Sequence, residues 1–365
     1  MRYTFLGHTS LKVSELCLGA MTFGTEWGWG ADEDESRRIF DAFVDAGGNF
    51  IDTANAYTSG TSETYVGRFI QGRRDRFVIA TKYTIGTDPE NANAWGNGRK
   101  NLTRALEASL ERLGTDYIDL YYPHMWDGFT PVEEVVRALE DAVRAGKILH
   151  VGFSDFPAWL VSRADALAEV ERLTRPAAIQ IEYNLAQRDA ERELLPMAEA
   201  LGLSVLDWSP LAGGALTGKT LEKDDEGRVS SSAVAHFDKY KSDRTLDVVR
   251  RVVEIAKGLG ITPAQLAIAW LGAISPRHIP IVGARSLEHI HDNLGAVEVR
   301  LDAETIDTLD RLTQIDLGFP GDFWPSGWPA WFGDWPSQID TRVRPNGRRA
   351  LRLDDHRWPR RPKRK

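Results

Sequence analysis

The chain has 365 residues, 12 of them Trp, a single Cys and a formal net charge of −8. Its length allows one large α/β domain or two average ones, and 42% hydrophobic content suffices for a sizeable core. Cys17 alone excludes an intrachain disulfide framework and a Cys-cluster metal site, and the longest uncharged apolar stretch, about 265–275, is too short to span a bilayer.

Arg2 is followed by the mixed segment Tyr3-Thr4-Phe5-Leu6-Gly7-His8, not by the apolar core of a secretory signal. A cytoplasmic location without a membrane partner is expected. The charge is uneven. Residues 341–365 hold eleven Arg or Lys against two Asp, so the preceding 340 residues carry −17. An acidic body lacks the basic face that nucleic acid requires, so no nucleic-acid partner is expected for it.

Residues 3–13 read as a β-hairpin, placed to cap the bottom of whatever follows. Eight short runs rich in β-branched and aromatic residues come next, at 15–18, 49–53, 77–81, 118–122, 148–152, 178–183, 204–208 and 278–282. Helical patterns lie between them. Residues 34–45 put Ile39, Phe40, Phe43 and Val44 on one face. Residues 102–113 space Leu102, Leu106, Leu110 and Leu113 at near-helical intervals. Residues 131–145 start on Thr130-Pro131 with Glu133 and Glu134 and stop before Gly146. Residues 189–200 and 245–259 are predicted helices ahead of Gly202 and Gly260. The polar segment 211–244 reads as a mobile loop.

Strand-then-helix repeated eight times predicts parallel strands with helical crossovers. The best fit is a closed α/β (β/α)8 TIM barrel with an N-terminal β-hairpin and a C-terminal extension. A doubly wound sheet is the alternative, and a dinucleotide-binding one would place G-x-G-x-x-G after its first strand. The chain has Gly19-Ala20-Met21-Thr22-Phe23-Gly24 there instead. The expected division is a barrel over 1–318, a Trp-rich segment over 319–340 and a basic, flexible tail over 341–365.

In a β/α barrel the active site lies at the C-terminal strand ends. The second strand ends in Asp52, with Tyr57 five residues on; the third ends in Lys82 and the fourth in His124. Singly, each has a bland explanation: a turn Asp, a solvated Lys, a packed His. Together on one rim they have a chemical logic. A free Tyr has a pKa of about 10, which a neighbouring ammonium lowers. A buried ammonium needs a counter-charge such as Asp52. His124 can hydrogen-bond a carbonyl oxygen. Such a group protonates that oxygen while hydride reaches the carbon, and needs no metal.

The residues around these four resemble the aldo-keto reductase superfamily. The matching blocks are Gly48-Asn49-Phe50-Ile51-Asp52-Thr53-Ala54-Asn55-Ala56-Tyr57, Val78-Ile79-Ala80-Thr81-Lys82 and Tyr117-Ile118-Asp119-Leu120-Tyr121-Tyr122-Pro123-His124. Further blocks are Gly152-Phe153-Ser154-Asp155-Phe156, Gln180-Ile181-Glu182-Tyr183-Asn184, Trp208-Ser209-Pro210-Leu211 through Lys219, and Pro280-Ile281-Val282-Gly283-Ala284-Arg285-Ser286 with Asn293. They run in order from about Tyr3 to Thr313. The resemblance implies reversible NADPH-dependent reduction of a small-molecule aldehyde or ketone, with NADH as a possible substitute. It implies Tyr57 as general acid, tuned by Lys82 and Asp52, with His124 orienting the carbonyl. It implies Ser154, Asp155 and Gln180 at the nicotinamide amide and Trp208 stacked on its ring. Ser209, Leu211, Gly213 and Lys219 fall over the pyrophosphate, and Gly283, Arg285, Ser286, His289 and Asn293 at the adenosine 2′-phosphate and adenine. Asp155 stands where Asn is usual, and an ionised carboxylate cannot donate a hydrogen bond. A non-catalytic cofactor-binding subunit on the same barrel is the alternative; the intact set of four argues against it.

Gly213-Gly214-Ala215-Leu216-Thr217-Gly218-Lys219-Thr220 also matches the P-loop pattern G-x-x-x-x-G-K-T. A P-loop must run directly into a helix, and the acidic Leu221-Glu222-Lys223-Asp224-Asp225-Glu226-Gly227 that follows is no such helix. Trp324, Trp328, Trp331 and Trp335 fall close together among prolines. Phe319, Phe323 and Trp324, with Trp27, Trp29, Trp95 and Trp126 on other rim loops, are candidates for the wall of a pocket taking a bulky apolar or aromatic carbonyl compound. Gluing the last loop to the barrel is the competing role. For the basic tail, contact with an anion or nucleic acid through Arg348, Arg349, Arg352 and 360–365, and self-association, stand beside plain disorder. The sequence leaves the oligomeric state open.

Overall fold

Strands β1 (Tyr3–Phe5) and β2 (Lys12–Ser14) pair antiparallel, with Tyr3 opposite Ser14, in a computed structural model that describes residues 1–221, 235–323 and 331. Gly7 turns this hairpin with φ +56, and a Cβ there would lie 2.1 Å from the Ala177 carbonyl oxygen. Only glycine allows so close an approach to the barrel floor. The Gly7 amide donates to Ser204 Oγ (2.7 Å), and Leu6 packs with Cys17, Phe50, Val78 and Leu206. The hairpin therefore seals the N-terminal end of the barrel, as expected.

Eight parallel strands close the barrel: β3 (Cys17–Gly19), β4 (Phe50–Asp52), β5 (Val78–Tyr83), β6 (Ile118–Pro123), β7 (Ile148–Ser154), β8 (Pro176–Glu182), β9 (Ser204–Trp208) and β10 (His278–Val282). They pair in sequence order, and β10 pairs back onto β3. The last two strands match their predicted bounds. The first starts two residues later than predicted, because 14–16 form a corner: Asn49 Oδ1 takes the Ser14 amide (2.7 Å) and Arg2 O takes that of Glu15.

Around the barrel lie α1 (Glu33–Asp45), α2 (Thr61–Ile70), α3 (Arg99–Leu113), α4 (Val132–Arg144), α5 (Ala158–Glu171), α6 (Leu194–Leu201), α7 (Asp243–Leu259), α8 (Pro263–Ile274), α9 (Leu287–Leu294) and α10 (Ala303–Thr313). The helix predicted over 189–200 is two pieces: a 3-10 turn at Asp189–Glu191, then α6. Pro196 is the reason. It has no amide hydrogen and is tolerated only in a first turn, so the α-helix starts just before it. In the segment predicted as a loop, Ala212–Thr217, Lys219–Leu221 and Ala235–Lys241 are 3-10 turns. The Gly-Lys-Thr run thus opens a 3-10 turn, unlike a P-loop. Among the described residues no single helix is long and apolar enough to cross a membrane.

Strand alternation decides what faces the barrel axis. Phe50, Ala80, Tyr122, Ala178 and Leu206 form one buried cluster inside the barrel, while Ile51, Ile79, Tyr121, Ile179 and Val205 belong to the larger core beneath the helices. Two residues on from the inner set stand Asp52, Lys82, His124, Gln180 and Trp208. Ser154 follows Gly152 by the same step. Gly152 leaves room for a neighbour, since a Cβ there would lie 2.3 Å from the Tyr122 ring. One two-residue period on six strands thus aims six polar or aromatic side chains at one opening.

Candidate active site

Tyr57 starts a 3-10 segment, Tyr57–Gly60, whose next three residues are left-handed (Thr58 φ 45, Ser59 φ 56, Gly60 φ 97). Hydrogen bonds hold this strained turn. Thr58 Oγ1 donates to Phe23 O (2.6 Å) and accepts from the Ser62 amide (3.2 Å). The turn brings the phenol to Lys82. Lys82 Nζ has no solvent exposure and spends its three protons on Asp52 Oδ1 (2.5 Å), Thr53 O (2.7 Å) and Tyr57 Oη (3.2 Å). The second Asp52 oxygen accepts from Gln180 Nε2 (2.8 Å).

Burial alone would discharge Lys82, but Asp52 and Tyr57 together hold its pKa above the ordinary value. Burial pushes the Asp52 carboxyl up, against the pull of Lys82 and Gln180. The pair is best described as one charge-balanced unit around an ammonium that stays protonated. For Tyr57 the structure corrects the sequence expectation. Burial is the largest influence and raises its pKa; Lys82 pulls downward, Asp52 upward, and the net direction is up. Tyr57 is a protonated donor at neutral pH.

His124 completes the group. Its ring centroid is 5.7 Å from that of Tyr57, edge to face. The loop bearing it is fastened to its neighbour: Thr84 Oγ1 accepts from the His124 amide (3.1 Å) and from Asn97 Nδ2 (2.8 Å). Thr84 has φ +101, an uncommon conformation for a β-branched residue. Burial first, and Lys82 second, hold the His124 imidazole well below its ordinary pKa, so it is neutral. Its Nδ1 is buried without a hydrogen-bond partner among the described residues.

The expected cofactor residues form two further groups on the same rim. Ser154 Oγ, at the end of β7, is buried with no hydrogen-bond partner among the described residues. Asp155 follows it with φ +47 and accepts from the Trp208 indole nitrogen (3.1 Å). The Asp155 carboxylate borders the open cleft, but the protein packed around it displaces enough water to push its pKa up to about 6. A cavity of about 480 Å³ lies beside this pair, bordered also by Ile181, Glu182, Gln187 and His236.

Beyond β9 the chain makes a glycine-rich turn. Ser209, Ala212, Gly213 and Gly214 all have positive φ, and Ser209 Oγ accepts from the Gly213 amide (2.9 Å). Leu211 is half-buried and Lys219 exposed. At β10, the Gly283 carbonyl accepts from Asn293 Nδ2 (3.2 Å), and Ser286 Oγ caps α9 by accepting from the His289 amide (3.3 Å). Arg285 and His289 are exposed. Burial, then Lys219 and Arg285, lower the His289 pKa, which puts the three within electrostatic reach of each other. Neither Lys219 nor Arg285 has an ion-pair partner among the described residues. An orphaned buried hydroxyl, a glycine turn and exposed cations without an ion-pair partner among the described residues fit a dinucleotide.

The aromatic residues divide. Trp27 stands edge-on to Tyr57 at 6.3 Å and tilts against Trp29. Trp95, on the loop after β5, pairs with Phe129 on the loop after β6, and Trp126 of that second loop pairs with Trp159 of α5. Phe323 packs with Phe319 (5.6 Å) and Trp331 (4.9 Å). Trp324, Trp328, Trp335 and the tail 341–365 lie outside the described residues.

Sequence reasoning missed Glu182 as a hub. It ends β8 and accepts from Tyr240 Oη (2.5 Å), from Lys239 and from His236 (3.0 Å). Tyr240 Oη in turn accepts from Asn184 Nδ2 (3.0 Å). Glu182 is two residues past Gln180, so strand parity could have flagged it. Its partners, 54–58 residues downstream, follow no spacing rule.

The chain matches the Aldo/keto reductase family over residues 15–314. It is 37% identical to norsolorinic acid reductase stcV of Emericella nidulans over 85% of this chain and 81% of that protein. It is 39% identical to an uncharacterized oxidoreductase, YrpG, of Bacillus subtilis (88% and 97% covered) and 36% identical to aryl-alcohol dehydrogenase [NADP(+)] of Phanerodontia chrysosporium (85% and 85%).

Proposed function

From the premise that the chain belongs to the Aldo/keto reductase family of NAD(P)H-dependent oxidoreductases, we propose that it reduces a bulky, aromatic or apolar aldehyde or ketone to the alcohol with NADPH. The observation that carries this reading is the buried circuit Asp52–Lys82–Tyr57 with His124 against the phenol. Such a circuit is of use where a proton is delivered to an oxygen.

The substrate carbonyl oxygen lies between Tyr57 Oη and the neutral His124 imidazole, which orients it. NADPH, when bound, supplies the hydride that reaches the carbonyl carbon. Tyr57 Oη gives its proton to the oxygen as negative charge develops there. The Lys82 ammonium stabilises the resulting tyrosinate at once, since its hydrogen bond is already made. Asp52 keeps that buried ammonium charged. A proton from solvent restores Tyr57. In the oxidative direction the same residues work in reverse, the tyrosinate accepting the alcohol proton.

Ser154 and Gln180 would hold the nicotinamide amide, with Asp155 beside them and Trp208 against the ring. Ser209, Leu211 and Gly213 would line the pyrophosphate. Lys219, Arg285 and His289 would meet the 2′-phosphate, with Gly283, Ser286 and Asn293 about the adenosine. The uncompensated cations favour NADPH over NADH. Trp27, at the edge of Tyr57, and the exposed Trp95 and Trp126 support an aromatic substrate, as do relatives named for an aryl alcohol and for norsolorinic acid. We propose the barrel over 1–318 as the catalytic unit, with Phe323 and Trp324 from 319–340 adding to the pocket wall. The test is oxidation of NADPH and of NADH with aromatic and aliphatic aldehydes and ketones. Turnover should be fastest with NADPH and an aromatic carbonyl compound; no turnover of either cofactor with any of them overturns the reading.

A further inference from the structure

Asp155 occupies a position where the resemblance implies a direct amide contact, but the one hydrogen bond its side chain makes among the described residues runs elsewhere. Its Oδ1 accepts from the indole nitrogen of Trp208 at 3.1 Å. Trp208 stands at the end of β9 and Asp155 just past β7, so this bond spans the rim across β8. The indole ring also meets the His236 imidazole, with ring centroids 5.6 Å apart. His236 is itself held by Glu182. The indole is thus braced at its nitrogen by a carboxylate and along its ring by an imidazole.

We propose that Asp155 is a positioning residue that acts on the cofactor through Trp208, fixing the plane of the indole on which the nicotinamide rests. The geometry carries this. Asp155 is left-handed at φ +47, a conformation that Asp tolerates better than most residues. It directs the carboxylate toward the indole nitrogen, and Trp is the aromatic residue with a donor at that place on its ring. An ionised carboxylate is also the stronger acceptor for that donor. The inference rests on the cofactor reading above and deepens it.

The charged groups facing Asp155 are Glu182, Lys82 and His236. With a carboxyl that titrates near 6, the bond is charge-assisted at neutral pH and weakens on acidification.

The first experiment is a double-mutant cycle read by cofactor binding, using quenching of protein fluorescence by NADPH. Asp155→Ala should weaken binding about fivefold, the scale of one lost hydrogen bond. Trp208→Phe keeps a ring face but removes the donor. In that background Asp155→Ala should have no further effect. Asp155→Asn, whose amide oxygen still accepts, should recover part of what Asp155→Ala loses. Additive losses overturn the inference and leave the cofactor reading standing; absence of NADPH binding to the wild type overturns both.

The second experiment needs no cofactor. The indole N–H resonance of Trp208, assigned by its loss in Trp208→Phe, should shift with a midpoint near pH 6 and stop shifting in Asp155→Asn. A transition that survives Asp155→Asn and vanishes in His236→Gln belongs to the imidazole and overturns the inference.

Discussion

The two ends of the proposed cofactor groove are built on opposite principles. At the catalytic end, Lys82 is wholly buried and every proton on its nitrogen is bonded. At the phosphate end, Lys219 and Arg285 are exposed and have no carboxylate partner among the described residues. Proton transfer calls for donors already in place in a dry site, where no reorganisation is needed as charge develops. Capture of a phosphate calls for the reverse: charge left unneutralised at the surface, so that the ligand completes the pairs. In the proposed reading the same residue type, Lys, would serve both ends, with burial and pairing separating a chemical role from a binding one.

The sharpest test of the catalytic end is Tyr57→Phe. It should lower kcat by about 10²- to 10⁴-fold, the usual worth of a positioned proton donor, while fluorescence titration still finds NADPH bound. A near-wild-type rate would remove Tyr57 from its role.

Lys82→Met should cost folding stability as well as activity. It leaves Asp52 buried without its cation, and breaking a buried pair in this way costs about 3–5 kcal/mol. Urea unfolding of the variant beside Lys219→Met makes the contrast direct, since the exposed lysine should change stability by less than about 0.5 kcal/mol. Equal losses would erase the distinction between the two ends.

At the phosphate end, Arg285→Ala should raise KM for NADPH about tenfold, leave kcat and the NADH parameters nearly unchanged, and lose its effect as salt rises. An equal loss with NADH would place Arg285 away from the 2′-phosphate.

The smallest effect expected is on pH. Because His124 is held well below its ordinary pKa, the unfolded chain takes up a proton there below about pH 6.5 that the folded chain refuses. Its contribution to stability is therefore complete above that pH and is lost as pH falls below it. Unfolding midpoints across pH 5–8 should show this slope flattened in His124→Gln. Because Tyr57 lies above its ordinary value, the reduction rate should show no tyrosine limb until well into the alkaline range, past about pH 10.

Much of the site was legible because strand parity is a local property. Asp52, Lys82, His124, Gln180 and Trp208 could be placed on one rim once their strands were recognised, since a period of two fixes which face each occupies. The helix over 189–200 was not legible in the same way. Its apolar pattern is continuous, and only the missing amide of Pro196 divides it. Glu182 was passed over because its partners arrive from a segment far along the chain. Asp155 was legible as a departure, but its partner was not.

The sequence by itself determined the barrel, the inward file of reactive side chains and the excess of charge that the body and tail divide. Those follow from alternation, turn residues and composition, which are properties of neighbours along the chain. The tertiary structure decided the rest. It set the direction of the Tyr57 pKa, where burial outweighs the ammonium that sequence logic had credited. It drew Lys219 toward Arg285 and His289 from a separate segment, and it joined Asp155 to Trp208 across β8. Desolvation and through-space contact depend on what surrounds a group in three dimensions, and no periodicity encodes that.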